Sequence, residues 1–69
     1  MKKGDEYHIK EIHGEQSVLA RLNEIGIRKG MRMIYFSQAP FGGPLIFRLG
    51  AAMFALRQEE FQCLILQKI

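Results

Sequence analysis

The sequence predicts a mainly β fold: a small, strongly bent barrel of about five short strands, with one short α-helix after the first strand and a one-turn helix before the last strand. Three observations carry this. Short apolar or alternating runs recur along the chain, at residues 6–13, 31–38, 45–49, 51–56 and 63–66. Glycine or proline punctuates most of the junctions, at Gly14, Gly26, Gly30, Pro40, Pro44 and Gly50. Helical spacing of apolar residues is sustained only once, in Val18, Leu22 and Ile25 with Leu19 beside them. The expectation is a single domain covering residues 1–69.

Each element has its own justification. In the first run, Tyr7 and Ile9 alternate as a half-buried strand requires, but Ile9 to Ile12 is a step of three. A bulge near Lys10-Glu11 would return Ile12 to the inner face. Gly14 ends this strand, and Ser17 is the expected N-cap of a helix over about 17–25. That helix is too short to stand alone and must lie on the sheet. Gly26 follows it, where the chain needs positive φ, and Ile27 is placed to fold back onto Leu22 as in a Schellman ending. Arg28-Lys29-Gly30 makes a second turn. In Met31 to Gln38 both faces are partly apolar, so the pattern leaves open which one is inside. Pro40-Phe41-Gly42-Gly43-Pro44 reads as a hairpin tip with a stiff frame and a flexible middle. Leu45, Phe47 and Leu49 give the clearest alternation. Gly50 opens a turn, Ala51–Leu56 is a further strand, Arg57–Phe61 a single helical turn and Cys63–Leu66 the last strand.

Composition bounds the rest. Sixty-nine residues lie near the lower size limit for a fold without staples. The single cysteine, Cys63, has no partner for an internal disulfide, and no metal-type cysteine pair exists. A dense core must therefore supply the stability. At 48% hydrophobic residues the supply exceeds what so small a core takes up, which hints at a partner or a second copy of the chain. The net charge of +3 is spread out, without a basic run of nucleic-acid type. No apolar stretch approaches the ~18 residues of a membrane span. Met1-Lys2-Lys3 is followed by Gly4-Asp5-Glu6 rather than by an apolar signal region. The expected location is the cytoplasm.

The residues that carry chemistry are few. Cys63 with His8 or His13 is the one thiol–imidazole combination, and nothing near it in sequence activates a nucleophile, so no catalytic residue is expected. Phe41-Gly42-Gly43-Pro44 lacks the Lys-Ser/Thr and the following helix of a phosphate loop. His8, His13 and Cys63 are weak metal candidates, with Glu6 and Glu11 as helpers; no cofactor is expected beyond adventitious divalent metal. Tyr35, Phe36, Phe41, Phe47, Arg32 and Arg48 are the residues a strand-binding barrel would use, but the charge excess is small and core aromatics are the favoured reading. The tip formed by Pro40, Phe41, Gly42, Gly43 and Pro44 is the candidate partner-binding surface. Phe41 is there either an exposed anchor or a plug over the barrel mouth.

Three pieces of the sequence together resemble the FeoA family: Leu22-x-x-Ile-Gly-Ile-x-x-Gly-x-x-Met, then Ala-Pro-Phe-Gly-Gly-Pro, then Ala-Leu-Arg-x-x-Glu-Phe-x-x-Leu-x-Leu. The resemblance covers roughly residues 4–66. Lys29 stands where the family often has proline, Phe61 where a small residue is usual, and Gly50 lies one residue further from Leu56-Arg57 than in many members. The resemblance implies an SH3-like barrel and a cytoplasmic, non-enzymatic role in bacterial ferrous iron uptake, with the FeoB permease as partner. Independently of it, the helix ending and the turn after it give Leu22, Gly26, Ile27 and Gly30 structural roles. Because this fold also occurs attached to metal-dependent repressors, an interaction domain of such a regulator is the alternative, with a small nucleic-acid-binding barrel as a third.

Overall fold

A computed structural model describes residues 1–69. The elements follow in the order β1 (Glu6–Ile12), α1 (Gln16–Ile25), β2 (Arg32–Gln38), β3 (Leu45–Leu49), β4 (Ala52–Leu56), α2 (Gln58–Phe61) and β5 (Leu64–Lys68). The five strands form one antiparallel sheet in the order β4-β3-β2-β1-β5. This is the mainly β architecture expected, with a short helix after the first strand and a one-turn helix before the last. α2 links the two edge strands.

The core is formed by Ile9, Leu22, Ile27, Met33, Leu45, Phe47, Leu49, Leu56 and Leu64. Every element except the single turn α2 contributes a buried apolar residue, and α2 contributes Phe61, half-buried against the same cluster. Burying each such side chain is worth about 1.5–3 kcal/mol relative to leaving it in water. Phe47 sits at the centre. Tyr35 meets it edge-on at 5.6 Å and Phe61 stacks on it at 5.6 Å with the rings 16° apart. The bulk of Phe61 is thus used inside the core.

The bulge in β1 is present: the pairing with β5 shifts register between Ile9 and Glu11, so that Ile9 is fully buried and Ile12 still packs on the core. A second bulge, not foreseen, lies in β2, where the register with β3 shifts between Tyr35 and Ser37. Up to it the strand alternates regularly: Met33 and Tyr35 face inward, while Ile34 and Phe36 lie on the outer face, with Phe36 exposed. Beyond it Ser37 pairs with Ile46.

The helix ending is a Schellman motif. Gly26 has φ +100°, its N–H donates to the carbonyl of Asn23 at 3.1 Å, and the N–H of Ile27 donates to that of Leu22 at 2.9 Å. Leu22 and Ile27 are both buried, as the motif's hydrophobic contact requires. Gly30, at φ +93°, turns the chain back so that its N–H reaches the carbonyl of Ile9 while the N–H of Ile9 reaches Met31. These two bonds, each 2.8 Å, continue the β1–β2 ladder beyond the paired strand residues.

Several boundaries differ from the sequence reading by one or two residues, and three of them have a cause in the hydrogen bonding. The cap position of α1 is Glu15 rather than Ser17, and no side chain caps it; the first turn closes through the Glu15 carbonyl, which accepts from Val18 and Leu19. β2 begins at Arg32, because the N–H of Met31 is taken by the Arg28 carbonyl in the preceding turn. β5 begins at Leu64 because the N–H of Cys63 still donates to Glu60, at 3.2 Å, in the turn that closes α2.

Candidate protein-binding site at the β2–β3 tip

The tip is framed by two backbone hydrogen bonds. Ala39 N–H donates to the Pro44 carbonyl at 2.9 Å, and Gly43 N–H donates to the Pro40 carbonyl at 3.3 Å. Within the inner turn Phe41 has φ +61° and Gly42 φ +72°. Positive φ at both central residues is the pattern of a primed turn, whose twist matches that of the flanking strands. Glycine adopts it freely; phenylalanine does not, and Phe41 is the one non-glycine residue with positive φ in the protein. Its side chain is fully exposed, at 104% of the reference area. Phe41 therefore does not plug the barrel mouth. A strained aromatic is held out in solvent by a short, doubly bonded loop.

The tip is also fixed to the body. Gln58 of α2 donates from Nε2 to the Gly43 carbonyl at 3.3 Å. A Cβ on Gly43 would lie 2.8 Å from the Cβ of Ala39, so this position needs glycine for space rather than for φ. Gly42, Gly43, Pro44, Arg57, Gln58 and Glu59 line an open groove between tip and α2.

α2 is held by Glu60, a residue the sequence reading did not single out. It is the one buried charged side chain, at 6% exposure. Its Oε1 accepts the N–H of Arg57 at 2.9 Å, and its Oε2 lies 3.4 Å from Nε of Arg21 on α1. The signal was present as a carboxylate three residues after the helix start, where it reaches back to the first free amide. Arginine has no acceptor, so only half of a capping box forms here.

The metal candidates do not converge. His8 lies within β1 between its partners Arg32 and Gln67. His13 is exposed beyond the end of β1, where its backbone N–H donates to the Cys63 carbonyl at 2.8 Å. His13 and Cys63 are thus neighbours through the backbone, with His8 on another part of the strand. No group of three or more His, Cys, Asp or Glu side chains is positioned to hold an ion. Cys63 is half-buried in the turn before β5, not on the strand, and its thiol donates to the Glu59 carbonyl at 3.4 Å. Its Sγ lies 2.6 Å from where a Cβ on Gly14 would be, so Gly14 makes room for it. Among the titratable groups Asp5 stands out. The Lys2 backbone N–H donating to its carboxylate, with further help from the Lys68 ammonium, holds its pKa below the usual aspartate range.

No helix is long and apolar enough to cross a membrane. The family model of the FeoA domain matches residues 1–68. No curated protein matches the chain. Among solved structures, the FeoA-like protein of Clostridium acetobutylicum superimposes with a TM-score of 0.87 at 22% identity, covering 100% of this chain and 80% of that one. Iron(II) transport protein A of Clostridium thermocellum gives 0.91 at 20% identity, over 100% of this chain and 43% of that one. FeoA of Stenotrophomonas maltophilia, solved with zinc and described as a prokaryotic SH3 domain protein, gives 0.75 at 24% identity, over 97% and 84% of the two chains. These likenesses establish the fold as SH3-like.

Proposed function

The chain belongs to the FeoA domain family, associated with ferrous iron transport, and from that premise we propose that it is a non-enzymatic, cytoplasmic accessory protein that acts by direct contact with the FeoB permease. The observation that carries the contact is Phe41: an aromatic at positive φ, wholly in solvent, at the end of a loop tied by two backbone bonds and by Gln58. A preordered aromatic loses little conformational entropy on docking, so most of its burial appears as affinity. The strain at Phe41 has no return within the free protein, since the side chain touches no core. Pro40, Gly42, Gly43 and Pro44 act as the frame that presents it, and Leu22, Gly26, Ile27 and Gly30 as structural residues.

The same reading gives the chain no chemistry of its own. Each buried side-chain polar atom is already hydrogen-bonded, and the single thiol is engaged with the Glu59 carbonyl. Nucleotide chemistry, where it enters, belongs to the permease. Divalent metal is treated as adventitious, because His8 is held apart from His13 and Cys63.

The test is capture of the permease's cytoplasmic region by the immobilised chain, with a DNA duplex as competitor. Retention of the permease region, undisturbed by DNA, is the expected result. Retention of DNA in its place would favour the nucleic-acid-binding barrel and overturn this reading.

A further inference from the structure

A second surface, sharing no residue with the tip, lies on the outer face of the sheet. The register places Ile34 of β2 beside Arg48 of β3, and Arg48 beside Met53 of β4. Phe36, two residues after Ile34, shares this face, and Lys3 lies over its ring with Nζ 4.4 Å from the centroid. These residues line one shallow groove, which contains two cations and no carboxylate. Neither cation is paired: the four ion pairs of the protein use Arg21, Lys29, Arg32 and Lys68. Phe36 and Met53 are both large, apolar and exposed.

The groove runs up to an open strand edge. β4 hydrogen-bonds to β3 alone. Its sequence, Ala-Met-Phe-Ala-Leu, holds no charge and no proline, and its five pairs with β3 run without a bulge. Natural edges are usually protected by one of those three devices. The opposite edge, β5, ends in Gln67-Lys68 and pairs through the β1 bulge. The unprotected edge and the cationic apolar groove thus adjoin at Met53.

We propose that the β4 edge and the groove of Ile34, Phe36, Arg48 and Met53 form a docking site for an extended, acidic segment of a partner protein, which adds as a strand to β4. Main-chain bonds to β4 would supply affinity, and alternate side chains would fall on the outer face. There an apolar side chain meets Met53 and Phe36, and a carboxylate meets Arg48 or Lys3. Charge decides the occupant. A second copy docked on this face would bring the same unpaired cations against each other, whereas an acidic strand neutralises them.

A six-residue blocked peptide alternating valine with glutamate serves as probe, with its valine–lysine counterpart as control. Titration into isotope-labelled protein should shift the amide resonances of Ala52–Leu56 and of Arg48. The lysine peptide should bind at least ten-fold more weakly, and the difference should shrink with salt. R48E and M53K, at exposed positions, should abolish the response while leaving the spectrum of the remaining core intact. No shift at the highest soluble peptide concentration, shifts located elsewhere, or equal binding of both peptides would overturn the proposal. Concentration-dependent broadening of β4 without peptide would overturn it in favour of a second copy.

Discussion

Arg21 on α1 and Glu60 on α2 meet across the molecule, guanidinium Nε to carboxylate Oε2 at 3.4 Å, and join the two helices that flank the sheet. The pair is lopsided. Arg21 is mostly in solvent, while Glu60 is buried and also accepts the Arg57 N–H. Glu60→Ala removes a buried acceptor from a helix start and should cost about 2–3 kcal/mol. Arg21→Ala should cost less than about 1 kcal/mol, because an exposed guanidinium is screened by water. Glu60→Gln keeps the acceptor for Arg57 and should fall between them. Urea denaturation of the three variants checks the order, and an Arg21 effect equal to that of Glu60→Ala would contradict it.

Gly26 tests the turn on which the α1–β2 connection depends. A Cβ there would meet no atom within 4 Å, so any penalty is conformational and not steric crowding by neighbours. Gly26→Val should lose more than ~1 kcal/mol, since a β-branched residue is disfavoured at φ +100°. Gly26→Asn should lose less, because asparagine tolerates that region. Equal melting temperatures for wild type and the valine variant would show that the turn relaxes freely.

Asp5 sets an acid-side limit. Its folded-state pKa is depressed, first by the Lys2 N–H and then by the positive charges nearby. A depressed carboxylate adds stability that is present above its unfolded pKa and is lost as pH falls through the lower, folded value. The wild type should therefore lose stability below the ordinary aspartate range more steeply than Asp5→Asn, with the two curves parallel at neutral pH. Parallel curves down to the most acid conditions would contradict this.

How much of this was legible in the sequence depends on whether the cause was local. The Schellman ending at Leu22, Gly26 and Ile27 was readable because all its parts lie within six residues and each has a steric reason. The bulge after Ile9 was readable for the same reason: a break in period two has few remedies. The inward face of β2 was not readable, since both Met33 with Tyr35 and Ile34 with Phe36 offer an apolar face, and the choice between them is made by the distant elements that pack on the strand. The cap made by Glu60 has a local signal, three residues after the helix start, but its pairing with Arg21, thirty-nine residues earlier in the chain, does not. Cys63 was placed on the last strand because nothing local shows that its amide closes the α2 turn. At the tip, the glycines and prolines point to a hairpin with a stiff frame and a flexible middle. They did not foretell that Phe41, rather than a glycine, takes one of the positive-φ positions.

Nucleic acid offers a further check on the choice of function. The positive excess is +3, and four of the ten basic side chains are already paired with carboxylates. Duplex or single-stranded DNA should bind weakly at low salt and be lost at physiological salt. Submicromolar binding in a filter assay at that salt would favour the nucleic-acid-binding reading.

Phe41 tests the central claim, that the tip is a contact site for the permease. Truncating it removes no packing, because the side chain is fully exposed, and Phe41→Asn also relieves unfavourable positive φ. The thermal midpoint of Phe41→Asn should equal or exceed that of wild type. Its affinity for the permease's cytoplasmic region, measured by calorimetry, should fall about 30-fold, the effect of losing roughly 2 kcal/mol from a docked aromatic. Unchanged affinity, or a loss of about 3–5 kcal/mol of stability as from a packed phenylalanine, would contradict the account.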